Sequence, residues 1–256
     1  ILDNNPKIKE DLGHRYVATL SHLLRCYIDN QQFEEAERMI QELRSLEGKK
    51  GFNSMDISLR IFTISYNSEF SLNLAMGNFP KAAQLITEVE QQVAVFDDKI
   101  SKEQSILFQY NKAYTYFGIG EFKKALSTLN EVLNDNEQRL RQDIYSFSRI
   151  FNLIIHFELE NYDFLEYVIK STNRYLSKHD RDYEIENTVI RHIRKLAKST
   201  NNAQRTEILE KMKVEVDELM KDQQERVILE YFHLPAWIDS KLTKESFSGT
   251  IQKYLR

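Results

Sequence analysis

The sequence is poor in the residues that make tight turns. Its 256 residues include only seven glycines and three prolines, whereas average usage of about 7% and about 5% would give roughly 30 together. Sheet proteins with many tight turns need these residues, and long helices avoid them. The shortage therefore argues against a β-sandwich, a β-barrel and a disordered chain, and it favours long helices.

Cysteine and long apolar runs are also scarce. The single cysteine, Cys26, rules out an internal disulfide framework and is typical of a reducing compartment. No apolar run approaches the roughly 20 residues that cross a membrane, and the longest, around 151–157, is too short. We expect no signal peptide, although the sequence begins at Ile1 without a methionine, as a fragment or a processed form would. We therefore expect a cytoplasmic protein without a membrane span.

Neither sign of charge dominates the sequence. It has 35 basic and 39 acidic residues, a formal net charge of −4 and a pI near 6.0. A domain that binds nucleic acid directly is usually strongly basic, so this function is not expected. Hydrophobic residues at 41% suffice for a substantial core, and the 29% of charged residues supply solvated helix faces. The composition predicts a soluble, almost entirely helical protein.

Four short segments share one pattern of apolar residues. They are NQQFEEAERMIQEL at 30–43, MGNFPKAAQLITEV at 76–89, GIGEFKKALSTLNEV at 118–132 and LENYDFLEYVIKST at 159–172. Each contains an aromatic residue (Phe33, Phe79, Phe122, Tyr162), then Ala36, Ala82, Ala125 or Leu165 three positions later, then Ile40, Ile86, Leu129 or Ile169 four positions further on. An amphipathic stretch at helical spacing precedes each segment. The pattern predicts four hairpins of two antiparallel helices, with the aromatic residue at the start of each second helix.

The third segment has the features of a known family. Residues 111–133 resemble a tetratricopeptide repeat, with Ala113, Tyr116, Gly120, Phe122, Ala125, Leu129 and Val132 at its motif positions. The resemblance covers about residues 14–175, and it departs from the family in its longer period and in lacking the early tryptophan and the closing proline. It is similar to bacterial members with long, divergent repeats. The family implies an all-α fold, an α-solenoid of antiparallel hairpins wound into a right-handed superhelix.

The resemblance divides the chain in two. Residues 1–177 would form four tetratricopeptide-like hairpins, and residues 178–256 would form divergent helices that cap the solenoid. Further helices are expected at 183–199 and 204–224, and 177–182 is the candidate hinge. The tail EYFHLPAWIDSKL contains the only tryptophan and is expected to cover the last apolar face.

The sequence contains no recognisable catalytic motif. It has no glycine-rich phosphate loop, no G-x-S-x-G and no H-E-x-x-H. His22 and Cys26 would share one helix face, but nothing nearby in the sequence supplies a third metal ligand. We expect a protein that is not an enzyme and that holds no cofactor or metal.

The family resemblance points to a binding groove. In tetratricopeptide proteins the first helix of each pair lines the concave groove. The corresponding positions here are Arg25 in the first hairpin, Asn67 and Ser71 in the second, Tyr110, Asn111 and Tyr114 in the third, and Ile150 and Ile154 in the fourth. Tyrosines combine apolar area with a hydroxyl and are favoured at binding surfaces. The alternative interpretation is that Tyr110 and Tyr114 pack against the neighbouring hairpin.

A second candidate site is a basic stripe. Arg191, Arg194, Lys195 and Lys198 would lie on one helix face. Such a stripe would suit an acidic peptide, a phosphate or a nucleic-acid backbone. The alternative is that the acidic helix expected at 207–218 neutralises it.

Two functions remain open. The family implies a non-catalytic scaffold that binds a protein or peptide partner in its groove, an inference by analogy of fold. The alternative is the sensor or regulatory repeat domain of a bacterial transcription or signalling protein, which binds a signalling peptide or mediates dimerisation. The sequence leaves both homodimerisation and the identity of the partner open.

Overall fold

The structure, a computed structural model, describes residues 12–137, 139–179 and 183–255. Within these residues the chain forms twelve α-helices and two short 3-10 helices, and no strand. The α-helices are α1 Gly13–Asp29, α2 Phe33–Arg44, α3 Met55–Ala75, α4 Phe79–Phe96, α5 Lys102–Gly118, α6 Phe122–Leu133, α7 Gln142–Glu158, α8 Tyr162–Lys178, α9 Glu184–Ala197, α10 Asn202–Leu219, α11 Leu234–Thr243 and α12 Phe247–Tyr254. The 3-10 helices are Asp97–Lys99 and Glu225–Glu230. The prediction of an all-α protein is confirmed.

The chain divides into two compact units. The first unit ends at Asn111 and the second begins at Lys112, so the division falls inside α5. The division that the sequence led us to expect, after residue 177, lies in the last turn of α8. Residues 180–182 of the candidate hinge lie outside the described residues.

The first unit is built from helices that pack in chain order. α1 contacts α2 and α3, and α3 also contacts α2 and α4. Phe62 of α3 is at the centre of this packing, because its ring stacks on Phe96 at 5.2 Å and lies 5.6 Å from Phe108. At the other end of the unit, the rings of Tyr16 and Phe52 meet edge to face at 6.0 Å. Aromatic side chains therefore carry much of this core.

The second unit is organised around α7. This helix contacts α6, α8 and α9, and every residue from Ile144 to Phe157 except Arg149 is buried. A helix that is buried nearly all round lies inside a core. After α7 the helices again pack in chain order, from α8 to α12.

Four of the turns between helices have the same hydrogen bonds. The residue with positive φ is Gln31, Gly77, Gly120 or Glu160. The N–H of the next residue donates to the carbonyl five positions earlier, at 2.7–3.0 Å, in the pairs Gln32–Tyr27, Asn78–Asn73, Glu121–Tyr116 and Asn161–His156. This is the Schellman arrangement, which satisfies carbonyls left over at the end of a helix.

Each of these turns leads directly into the predicted apolar pattern. The second helix begins at the aromatic residue, as expected, and the residue three positions later has no exposed surface in any of the four segments, whether alanine or Leu165. A small side chain at this point lets two helices approach closely, and at Leu165 a larger side chain occupies the same buried position.

The positive φ angles predict opposite effects of two substitutions. Glu160 has a φ of 56°, a conformation that only glycine adopts without steric cost. Glu160→Gly is therefore expected to raise the free energy of unfolding by about 0.5–1 kcal/mol. Gly120 has a φ of 82°, and Gly120→Ala is expected to lower the free energy of unfolding by about 1 kcal/mol. This cost comes from the backbone conformation, because an added Cβ meets no atom within 4 Å. Urea denaturation of both variants measures the two effects, and a loss of stability in Glu160→Gly would contradict the prediction.

Candidate functional site

Two of the predicted groove residues lie together in the first unit. Asn67 and Asn111 are 7% and 5% exposed, and the Nδ2 of Asn111 donates to the Oδ1 of Asn67 at 3.3 Å. The Nδ2 of Asn67 donates in turn to the Oε1 of Gln104 at 2.8 Å and to the carbonyl of Thr63 at 3.0 Å. The amides of Asn67 and Asn111 thus bond within the protein, and they link α3 to α5.

The other groove residues of this unit are more accessible. Arg25 is exposed on α1, with its Nε 3.7 Å from the carboxylate of Asp29, an exposed pair of a kind that contributes little stability. Ser71 is half-buried on α3. It belongs to a half-buried stripe at helical spacing that also contains Ile64, Ser68 and Ala75. We call these four residues the α3 stripe. Of the predicted groove residues in this unit, Arg25 and Ser71 are accessible.

The two predicted tyrosines are buried. Tyr110, in the first unit, is 3% exposed, and Tyr114, in the second, is 6% exposed. The ring of Tyr114 lies 5.3 Å from that of Phe232 and 5.7 Å from that of Phe151, and its Oη accepts a hydrogen bond from the backbone N–H of His233 at 3.1 Å. Burial raises the pKa of Tyr114. Tyr114 therefore packs inside its unit.

Phe232 and His233, which contact Tyr114, belong to a C-terminal segment, residues 225–254, that also packs against α7. The ring of Tyr231 stacks on Phe147 at 4.2 Å, and that of Trp237 meets Phe157 edge to face at 5.9 Å. Trp237 Nε1 donates to Glu158 Oε1 at 2.6 Å. The predicted groove positions Ile150 and Ile154 are at most 2% exposed. No accessible groove residue therefore remains on α7.

Two cations of the basic stripe have acidic partners. Arg191 donates to the carboxylate of Glu215 and lies 3.6 Å from that of Glu184. Arg194 lies 3.5 Å from the carboxylate of Glu166 on α8. A carboxylate of α10 thus pairs with Arg191, and a carboxylate of α8 pairs with Arg194.

The other two cations of the stripe are accessible. Lys195 and Lys198 are exposed, and no carboxylate of the described residues lies within 4 Å of either. Between them and the core lies His192, which is 1% exposed, with its Nε2 3.1 Å from the carboxylate of Glu215. Burial lowers the pKa of His192, so its imidazole is neutral at pH 7.

A polar face on α7 is absent from the sequence-based predictions. Tyr145, Ser148, Arg149 and Asn152 lie within one side of this helix. The guanidinium carbon of Arg149 lies 4.1 Å from the centre of the Tyr175 ring on α8. The signal was present in the sequence as a single arginine inside the run FSRIFNLIIHF.

The two candidate metal ligands of the sequence lie at the surface of α1. His22 and Cys26 are both exposed on α1. Within the described part of the chain, no three His, Cys, Asp or Glu side chains lie close enough to hold a metal ion.

Comparisons of the chain with models of protein families, with curated proteins and with solved structures found no match. Over the residues that the structure describes, none of the helices combines the length and the apolar character needed to cross a bilayer. Hypotheses about function therefore rest on the chain's own geometry.

Proposed function

We propose that the chain is a non-catalytic scaffold, an α-solenoid of tetratricopeptide-like hairpins that binds a protein or peptide partner. The observation that carries the proposal is the set of four turns with one hydrogen-bond pattern, each followed by a buried side chain at the same position. A single hairpin of two amphipathic helices cannot bury its apolar face alone. Four hairpins of one geometry are the units from which a solenoid stacks.

The proposed binding face lies on α1 and α3, in the first unit. These two helices contact each other, and they carry Arg25 and the α3 stripe, which are accessible. Hydroxyls of Ser68 and Ser71 would bond to the backbone of an extended peptide, and Arg25 would meet an acidic side chain. Tyr114 of α5 is left out of this face because it packs against the C-terminal segment, and Ile150 and Ile154 of α7 are left out because they are buried.

The test is a selection of peptides from a display library on the native chain, followed by calorimetric measurement of the best binder. Ser71→Arg places a large side chain on the α3 stripe and is expected to weaken binding at least tenfold, about 1.4 kcal/mol. Ser127→Arg makes the same change on the exposed face of α6 and is expected to leave the affinity unchanged. If a folded Ser71→Arg variant binds as tightly as the native chain, α1 and α3 do not form the binding face.

A further inference from the structure

Arg149 is a charged residue in the middle of a buried helix. No carboxylate of the described residues lies within 4 Å of its guanidinium, and the Tyr175 ring at 4.1 Å is its one close ring contact. Its Nε is buried and has no hydrogen-bond partner among the described residues. Burial lowers the pKa of Arg149, but a guanidinium remains protonated at neutral pH. The side chain as a whole is half-buried, and a partly desolvated charge whose buried N–H has no acceptor is costly.

Two neighbouring polar groups share this lack of a partner. Ser148 and Asn152 are 0% and 8% exposed, and neither Ser148 Oγ nor Asn152 Oδ1 has a hydrogen-bond partner in the part of the chain described. Both lie on the same side of α7 as Arg149. Buried polar groups in native proteins are nearly always satisfied. Three such groups on one helix face therefore indicate a ligand rather than three separate defects.

The chemistry of the three groups defines that ligand. The guanidinium and the hydroxyl are donors and favour an anion, whereas the Oδ1 of Asn152 accepts and favours an O–H group. An oxyanion that carries a hydroxyl offers both. Hydrogen phosphate has this combination at neutral pH, a phosphate monoester has it only as its monoanion, and sulfate lacks it.

A cationic cavity lies close to this face. The ring of Tyr175 lies 4.3 Å from that of His179, at an angle of 34°. His179 lines a surface cavity of about 400 Å³ together with Asn136, Glu137, Arg139, Leu140 and Lys178. Two cations against one carboxylate give this opening a potential that attracts anions. The row of Arg149, Tyr175 and His179 thus joins the polar face to the surface.

We propose that the polar face of α7, with Tyr175 and His179 of the adjoining helix end, binds a phosphate group, either of inorganic phosphate or of a phosphate monoester. Arg149 and Ser148 donate hydrogen bonds to phosphate oxygens, and Asn152 accepts one from a phosphate hydroxyl. The site lies in the second unit, and its test is independent of the peptide-binding face.

The experiment is isothermal titration of the full chain with inorganic phosphate, phosphoserine and sulfate, at pH 7 and constant ionic strength. Saturable binding of one phosphate probe per chain is expected, with sulfate at least tenfold weaker. Tighter binding of inorganic phosphate identifies the free ion as the ligand, and tighter binding of phosphoserine identifies a monoester. Absence of saturable binding up to about 10 mM, or equal affinity for sulfate, would overturn the proposal.

Variants assign the binding to this face. Arg149→Met removes the guanidinium but keeps an unbranched apolar side chain, is expected to fold because it removes an unpaired charge, and should weaken phosphate binding at least tenfold. Arg174→Met makes the same change at an exposed position of α8 and should bind as the native chain does. Unchanged binding by Arg149→Met would overturn the proposal. Should that variant fail to fold, the ¹⁵N signal of Arg149 Nε in the native chain must shift on titration with phosphate, and a signal that does not move would equally overturn it.

Discussion

Replacement of Trp237 by alanine is expected to lower the free energy of unfolding by about 3–5 kcal/mol. The side chain is 1% exposed, so its removal leaves a cavity between the C-terminal segment and α7. It also removes the hydrogen bond to Glu158, a carboxylate whose side chain is only 9% exposed. Glu158 would keep the ion pair with Lys241, in which Lys241 Nζ lies 2.7 Å from Glu158 Oε2. The cost is therefore dominated by lost packing rather than by an orphaned charge.

Two further variants separate the causes of this loss. Trp237→Phe retains most of the ring but not the donor, and it should cost less than the alanine variant. Tyr167→Ala removes an aromatic side chain that is 67% exposed and should change stability by no more than about 0.5 kcal/mol. Urea denaturation followed by circular dichroism gives all three values. A loss below about 1 kcal/mol in Trp237→Ala would show that the C-terminal segment is not part of the core.

The chain is expected to lose about 2 kcal/mol of stability between pH 7 and pH 5 through His233 alone. Burial lowers the pKa of His233 from its ordinary 6.5 to about 4. Its Nδ1 also accepts a hydrogen bond from the N–H of Ala236 at 3.2 Å and so caps the first turn of α11. A protonated imidazole cannot accept this bond, because both of its nitrogens are then donors.

The sign of this pH dependence follows from which state, folded or unfolded, binds the proton. Below pH 6.5 the unfolded chain takes up a proton on this histidine and the folded chain does not, so stability falls as the pH falls, and the loss levels off below about pH 4. Burial also lowers the pKa values of His156 and His192, and these add losses of the same sign.

His233→Asn isolates the contribution of this residue. Asparagine is a favoured N-cap residue and does not titrate, so the variant should keep the cap and show a flatter dependence of stability on pH. Denaturation midpoints at pH 5, 6 and 7 compare it with the native chain. Equal slopes for the two proteins would refute the assignment to His233.

Much of the helical order could be predicted from local pattern. Phe79, Ala82 and Ile86 are spaced so that they fall on one face of a helix, and this spacing identifies the second helix in the sequence. The same face is turned to the core, and all three residues are at most 6% exposed. The turns were harder to predict. Gly77 and Gly120 signal positive φ by residue type, but Gln31 and Glu160 adopt the same conformation with side chains that normally avoid it. Here the packing of the flanking helices overrides local preference.

The sites were less accessible to prediction because they depend on distant contacts. The sequence near Tyr114 does not indicate that the backbone N–H of residue 233 donates to its hydroxyl, because 119 positions separate the two residues. The family resemblance assigned Tyr114 to a groove, and the C-terminal segment that covers it lies outside the region of resemblance. Arg149 shows the opposite case, in which a local anomaly was visible in the sequence but only the structure reveals that it has no acidic partner.

The C-terminal segment has a consequence for how the protein is made. During synthesis α7 leaves the ribosome well before residues 225–254 have been added to the chain. The rings of Phe147, Phe151 and Phe157 therefore emerge uncovered. Their later contacts are Tyr231, Phe232 and Trp237. The second unit therefore completes its core only after residues 225–254 have been synthesised. Until then its nascent chain exposes an aromatic surface of the kind that chaperones recognise and that drives aggregation.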